Sequence, residues 1–158
     1  QDAQFEMGPV FERAQNIRGF QIASPSLIGI RCVQTAFSMI KEAGIDAIAQ
    51  KAAVGTQMMI DLYDAWLAPL GFVLNTSRDP KERGGHISLV HPDAAQICVA
   101  MREISNVIPD YRTPNSIRLA ISPLPTSFVE VWDGFARTRD LVASGQYKTI
   151  KEGGSRVT

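Results

Sequence analysis

The stretch NSIRLAISPLPTSF, Asn115 to Phe128, contains a short apolar strand, a turn with two prolines and the start of a helix. Arg118 lies among alternating apolar residues, so its side chain points to the face opposite theirs. Those apolar positions are Ile117, Leu119 and Ile121. Because an arginine keeps its charge in a protein, the guanidinium of Arg118 must reach water, a carboxylate partner or a bound anion. Residue spacing alone leaves these three alternatives open.

Two long helices are predicted upstream of this stretch. Ser24-Pro25 is typical of a helix start, because a serine oxygen can accept from the first free amides and proline fits the first helical position. Apolar residues at three- and four-residue spacing continue to Ala43, and Gly44 ends the helix. A second helix is predicted from near Asp46 to residues 69–71.

Beyond the helices, the apolar period changes to two. FVLNT (72–76) and HISLV (86–90) are predicted to pair as antiparallel strands across an exposed charged link. A short helix follows, with Ala94, Ile97, Cys98 and Met101 facing inward. A second strand pair, VIPDYR (107–112) and SIRLAIS (116–122), is joined across residues 113–115. A capping box of Ser127 and Glu130 begins the last helix, whose apolar face comprises Phe128, Val131, Trp132, Phe135 and Leu141.

This order of elements predicts an α+β fold, a two-layer domain with an antiparallel or mixed sheet and helices packed on one face, preceded by long helices. We expect an extended lead-in segment over 1–19, the domain over 20–145 and a flexible tail over 146–158. A short strand is predicted around Arg18 to Ile22.

Composition excludes several classes of protein. The 158 residues include 16 basic and 16 acidic side chains, so no charge excess favours nucleic acid as a partner. The apolar stretches are all shorter than the length of about 20 residues that a membrane span needs. Cys32 and Cys98 lie on apolar-periodic segments without a CxxC or a His/Cys cluster, which favours buried thiols and a reducing compartment, the cytoplasm, over a metal site or a disulfide.

No complete active site is visible in the pattern, so no residue of this chain is predicted to be catalytic. His86 lacks a neighbouring nucleophile or metal ligand, and His91 precedes a proline at a predicted helix start, so both are interpreted as structural. Gly84-Gly85 is interpreted as a turn before a strand. Four carboxylates are spread over predicted solvated faces without an obvious pair among them; they are Asp61, Asp64, Glu103 and Asp110.

Several separate motifs resemble those of the kynureninase family. Its members are pyridoxal-phosphate-dependent hydrolases of tryptophan breakdown, and their architecture is fold type I, similar to the class V aminotransferases. ERGGHISLVHPDA (82–94) and VIPDYRTPNSIRLAISPLPTSFVEVWD (107–133) look like the C-terminal part of that family. IRGFQIASPSL (17–27) is similar to the segment that enters the long helix of the family's small domain. The resemblance extends from about residue 5 to residue 142.

The resemblance implies roles for two residues. Arg118 matches the arginine that grips the α-carboxylate of an L-kynurenine-type substrate, a task for which a planar fork of donors suits a carboxylate. Ser24 matches a residue that helps hold the phosphate of pyridoxal phosphate across a homodimer interface, a role compatible with the helix-cap interpretation. This chain departs from the family at Ser26, where relatives usually have proline, and at Pro125, where they usually have an aromatic residue.

The resemblance also implies a larger enzyme. The lysine that carries the cofactor belongs to a large domain upstream of Gln1, so this chain alone is expected to be inactive and not to hold pyridoxal phosphate. The parent is expected to hydrolyse kynurenine or 3-hydroxykynurenine to an anthranilate-type product and L-alanine. Two alternatives remain: the small domain of another class V aminotransferase or desulfurase, and a free-standing non-catalytic domain that dimerises or binds a carboxylate.

Overall fold

The computed structural model describes residues 8–9, 13–21 and 23–150. The chain divides into two compact units, Gln1–Glu42 and Ala43–Thr158. The boundaries inferred from the sequence, 1–19, 20–145 and 146–158, stay a prediction.

The first unit contains a 3-10 turn where a strand was predicted. Residues Asn16–Phe20 form this turn, and the predicted strand around Arg18 is therefore wrong, while Ile22 lies outside the described residues. Asn16 adopts a positive φ of 56°, and its side-chain oxygen accepts a hydrogen bond from the amide of Arg18. Asparagine tolerates this conformation and offers the backbone a local partner, which competes with strand formation.

Helix α1 (Leu27–Ala43) ends where predicted but has a different cap. Ser26, and not Ser24, accepts the hydrogen bond from the amide of Gly29, at 3.2 Å. The cap prediction for Ser24 is wrong because the helix begins two residues later than Ser24-Pro25 suggested. At the other end Gly44 has a φ of 80°, which glycine adopts readily.

Every residue of α1 is exposed, including its large apolar side chains. Leu27 and Ile28 are each 79% exposed and Phe37 is 66% exposed. Cys32 is therefore exposed as well, and the prediction of a buried thiol at this position is wrong. The apolar spacing identified a helix correctly, but spacing does not reveal what covers its apolar face.

The second unit begins with the long helix that the sequence predicts. Helix α2 (Ile45–Leu62) continues into a wide helical turn, Tyr63–Leu67, and a 3-10 turn, Ala68–Leu70. Gly71 ends this run with a φ of 91°, in the left-handed region that favours glycine.

A four-stranded sheet follows, antiparallel throughout, in the order β1-β2-β4-β3. Its strands are β1 (Val73–Leu74), β2 (His86–Val90), β3 (Asp110–Arg112) and β4 (Ser116–Ala120). Helix α3 (Ala94–Glu103) lies between β2 and β3 in the chain, and α4 (Phe128–Ala143) follows β4. Both predicted strand pairs and the α+β fold class are confirmed.

The core of this unit fills the space between one face of the sheet and the helices. Ile87, Leu89 and Ile117 are at most 1% exposed, and Leu119 is 9% exposed. All four inward positions predicted for α3 are fully buried. On α4, however, Phe128 and Trp132 are 39% and 46% exposed, because they lie on the flank of the buried stripe, where Trp132 packs edge-on against Trp66.

Both ends of α4 have specific anchors. The predicted capping box is present, since Ser127 Oγ accepts from the amide of Glu130 and the Glu130 carboxylate accepts from the amide of Ser127. After α4, Gln146–Thr149 forms a 3-10 turn in which Tyr147 is buried and donates to Asp93 Oδ2 at 2.8 Å. This part of the predicted tail is packed, and residues 151–158 lie outside the described residues.

Two arginines connect the charged link between β1 and β2 to α2 and to the wide turn that follows it. Arg83 Nε donates to Oγ1 of the buried Thr56 at 3.0 Å, and another Arg83 nitrogen donates to Gln57. Arg78 forms a two-pronged ion pair with Asp64, at 2.8 and 2.7 Å. Asp64 is therefore ion-paired with an arginine of this link.

Replacing Ile117 with alanine should lower the free energy of unfolding by about 2–5 kcal/mol, because a buried side chain on the central strand would leave a cavity. Ile108→Ala is the matched control, since Ile108 is 82% exposed and its truncation should change stability by less than about 0.5 kcal/mol. Urea unfolding followed by circular dichroism measures both. Equal losses in the two variants would contradict this assignment of the core.

Candidate functional site

The sheet face opposite the core carries a compact group of polar side chains. On β4, Ile117 and Leu119 face the core, so Arg118 points away from it, as predicted. The pairing places Ser88 of β2 directly opposite Arg118 on one side and Asp110 of β3 opposite it on the other. Arg118 is therefore the centre of a cross-strand row on this open face.

Arg118 has a carboxylate partner within the chain. Its Nε donates to Oδ2 of Asp110 at 2.8 Å, and its Nη2 donates to the same oxygen. Each of the two side chains is 35% exposed. Of the three alternatives for the guanidinium, the structure shows the carboxylate partner.

A second arginine contacts the same carboxylate oxygen. Arg112, two residues from Asp110 on β3, approaches Oδ2 with Nε at 3.2 Å and Nη2 at 3.1 Å. Arg112 is 59% exposed, so it lies at the wetter side of the group. The three residues form a cluster of two positive charges and one negative charge, the Asp110 cluster.

The electrostatics of the cluster follow from these contacts. The hydrogen bond from Arg118, and then those from Arg112, lower the pKa of Asp110 below its ordinary value. Asp110 is thus charged at neutral pH, and the cluster has a net charge of +1. Such a group can attract one monovalent anion.

Two hydroxyl groups border the cluster on the same face. Ser88 Oγ and Ser116 Oγ are 2.7 Å apart and share a hydrogen bond. Ser116 precedes Arg118 by two residues on β4, so the three side chains lie side by side. Hydroxyl groups both donate and accept, and they can hold a polar ligand that the guanidinium binds.

Ser24, the predicted cofactor-phosphate residue, belongs to the first unit and is exposed. Its predicted proximity to the free amides of α1 is weakened, because Ser26 occupies the cap position. The role of Ser24 stays a prediction.

Of the two histidines, His91 has the contacts of a structural residue, whereas the structural interpretation of His86 stays a prediction. His91 is 7% exposed; its Nδ1 accepts from the amide of Asp93 at 3.0 Å and its ring packs on Phe72. His86 is exposed at the start of β2, opposite Ala120. The carbonyl of Gly85, in the turn before β2, accepts a hydrogen bond from the amide of Ile121, which agrees with the interpretation of Gly84-Gly85 as a turn.

Other chemistry is not supported by the described part of the chain. Burial raises the pKa of the Cys98 thiol to about 12, so it is not an activated nucleophile. Among residues 8–9, 13–21 and 23–150, no group of three or more His, Cys, Asp or Glu side chains could hold a metal ion. None of the helices described combines the length and apolar character required to cross a bilayer.

Asp110 and Arg112 were missed as site residues although a signal for them was present. The predicted hairpin across residues 113–115 pairs Arg112 with Ser116, and continuing the register pairs Asp110 with Arg118. Counting outward from the turn therefore locates the partner of Arg118.

Comparison with known proteins gives a consistent result. A family model described as the kynureninase C-terminal domain matches residues 48–137, which include the whole Asp110 cluster. Kynureninase of Geobacillus thermodenitrificans (strain NG80-2) is 37% identical over 93% of this chain and 34% of its own length. The kynureninases of Bacillus thuringiensis subsp. konkukian (strain 97-27) and Shouchella clausii (strain KSM-K16) are 32% and 34% identical over 95% and 94% of the chain. The chain spans about a third of the length of these relatives.

The pH dependence of Asp110 tests the cluster. Because its pKa is lowered by folding, the charged carboxylate stabilises the fold above the ordinary pKa of about 3.9, and this contribution is lost as pH falls through the lowered pKa. Arg118→Gln should move the pKa of Asp110 back toward its ordinary value, and Arg112→Gln should move it less. Carboxyl ¹³C NMR titration measures both shifts. An unchanged midpoint in Arg118→Gln would contradict the assignment.

Proposed function

The chain belongs to the kynureninase family, with the family's C-terminal domain, and we propose that it provides the substrate-carboxylate site of a kynureninase-type hydrolase. The single observation that carries the proposal is Arg118, which projects from the centre of the open sheet face inside the matched region. A planar fork of N–H donors binds a carboxylate through two parallel hydrogen bonds. The substrate proposed is L-kynurenine or 3-hydroxykynurenine, and the products are an anthranilate-type acid and L-alanine.

The role of this chain in such a reaction is to bind and orient. Arg118 receives the α-carboxylate of the substrate and thereby fixes the position of the atoms next to it. Asp110 keeps the guanidinium in place before substrate arrives, and the hydroxyl groups of Ser88 and Ser116 offer polar contacts beside it. Fixing a reactant in this way lowers the entropy that must be lost in the reacting complex.

The cofactor proposed for the parent enzyme is pyridoxal phosphate, which supplies an electron sink when bound. Among the described residues, Ser24 is the proposed contact to its phosphate, from one subunit to the other. Its exposed hydroxyl is sterically free to do so, but the amides of α1 are capped by Ser26 and add little. We therefore propose that a large domain provides most of the cofactor site, including its lysine.

A second candidate function is a free-standing domain that binds a carboxylate without catalysis. The second unit has a closed core of its own, which supports independent folding. The match to the kynureninase C-terminal domain favours the enzyme over this candidate and over an aminotransferase or desulfurase small domain.

The role of Arg118 can be tested in a chimera that joins this chain to the first two thirds of the Geobacillus thermodenitrificans kynureninase. Arg118→Ala should lower kcat/KM for kynurenine about 100-fold, corresponding to about 3 kcal/mol, because a charge-assisted pair in a closed site is lost. Arg118→Lys should recover little, since an ammonium group does not match both carboxylate oxygens.

The matched control is Arg78→Gln. It removes an ion-paired arginine of the β1–β2 link, which is not part of the Asp110 cluster, and it should leave kcat/KM within about twofold. Cofactor absorbance of each variant shows whether the cofactor site is intact. Kinetics like those of the unmodified chimera in both Arg118 variants would refute the proposed function.

We expect the chain alone neither to retain pyridoxal phosphate nor to cleave kynurenine. The reason is that the proposed cofactor lysine lies in the large domain. The purified chain is incubated with the cofactor, passed through a gel-filtration column and examined by visible absorbance. A cofactor band that survives the column, or production of anthranilate, would contradict this expectation.

The proposed parent is a homodimer, and α1 is the segment that we assign to an interface with a second copy. Its exposed apolar residues are unusual for a solvent-facing helix. Phe37→Asp should therefore reduce self-association, whereas Ile108→Asp, at an exposed site of the other unit, should not. Sedimentation velocity at several concentrations measures this, and a purely monomeric unmodified chain would contradict it.

A further inference from the structure

Among the described residues, Arg78, Arg112 and Arg118 engage carboxylates in two different ways. A guanidinium has a side edge, formed by Nε and one Nη, and an end edge, formed by the two Nη groups. Arg78 uses its end edge, with one bond to each oxygen of Asp64. Arg118 and Arg112 use their side edges, and both converge on the single oxygen Oδ2 of Asp110.

Because of this difference, the arginines of the Asp110 cluster keep N–H groups that can donate to a ligand. Within the described part of the chain, Nη1 of Arg118 and Nη1 of Arg112 donate to no other group. Each arginine therefore keeps its end edge for a ligand, whereas the end edge of Arg78 is occupied. Side-edge binding also fixes the plane of each guanidinium relative to the sheet.

The sheet register places the two arginines on the same face. Arg118 is opposite Asp110 and Arg112 is opposite Ser116, so the arginines lie on adjacent rows of neighbouring strands. Side chains in such diagonal positions are within reach of one ligand when they are long. One carboxylate would balance the net charge of +1 that the cluster carries.

We propose that Arg112 is a second carboxylate-binding residue and that Asp110 is the positioning residue that holds both guanidiniums for the ligand. The ligand class is a monocarboxylate, here the α-carboxylate of the substrate under the proposed function, on which this inference rests. Arg118 provides the inner contact and the more exposed Arg112 provides the outer one. Asp110 itself does not touch the substrate.

The first test uses the chain as it is, with sodium acetate as the probe and methyl acetate as the neutral control. Arginine Nε–Hε signals in ¹H–¹⁵N NMR spectra report on each guanidinium. Acetate should shift the signals of Arg112 and Arg118 together, and it should leave that of Arg78 unchanged. Arg112→Gln should weaken acetate binding about three- to tenfold, as expected for one charge-assisted contact at a partly exposed site.

The second test uses the chimera with the Geobacillus relative's large domain. Arg112→Gln should raise KM for kynurenine about fivefold and leave kcat within about twofold, because a contact made equally in substrate and transition state is lost. Arg112→Lys should restore part of the affinity, since it keeps the charge but not the fork. Arg78→Gln is again the matched control.

The positioning role of Asp110 has its own signature. Asp110→Asn removes the negative charge, so acetate should bind at least as well as before, while kcat/KM should fall about tenfold because the guanidiniums are no longer aligned. A variant whose structure is merely damaged would lose both acetate binding and kcat/KM. Unchanged kcat/KM in Asp110→Asn would refute the positioning role.

The outcomes separate this inference from the proposed function. One outcome would refute the inference and leave the proposed function standing. In that outcome Arg118→Ala lowers kcat/KM of the chimera, Arg112→Gln has no more effect than Arg78→Gln, and acetate does not shift the Arg112 signal. If Arg118→Ala has no effect on the chimera while acetate still shifts both signals, the two-arginine site stands and its assignment to kynurenine is refuted.

Discussion

The alternation of side chains along β4 is the constraint on which the rest of the second unit depends. This strand lies between β2 and β3, so its core-facing residues, Ile117 and Leu119, must be apolar and buried. The same alternation directs Arg118 to the opposite face, where a charge can remain partly hydrated. A shift of one residue in register would bury the guanidinium and expose both apolar side chains. Core and candidate site are thus fixed by one strand.

The Asp110 cluster adds little to stability, and the role proposed for it is in binding. An ion pair whose partners are each about a third exposed is screened by water and is worth little to folding. Its value lies in geometry, because a carboxylate in the row beside Arg118 restricts the orientations of a long side chain. The neighbouring Arg112 keeps the net charge positive, so alignment is obtained without cancelling the attraction for an anion.

Much of the fold could be predicted from the sequence, because helical and alternating periods and the Ser127–Glu130 capping box are local signals. The sequence could not predict whether Ser24 or Ser26 caps the helix, because both precede the same apolar run. The geometry of the first helical turn decides between them. The exposure of Cys32 and Trp132 depends on what packs over a helix, which periodicity does not report. Arg118 was raised as a candidate by its place in a strand and given its role by the family resemblance, whereas Asp110 required the register of the hairpin.

The outer strands of the sheet are short: β1 has two residues and β3 has three. Few backbone amide and carbonyl groups are therefore left unpaired at the two borders of the sheet, and an incoming extended peptide would find almost no ladder to join. The domain is protected in this way against strand-by-strand polymerisation, even though its two central strands carry apolar side chains. Macromolecular association must use side-chain surfaces, which can be altered by substitution without disturbing the backbone pairing of the sheet.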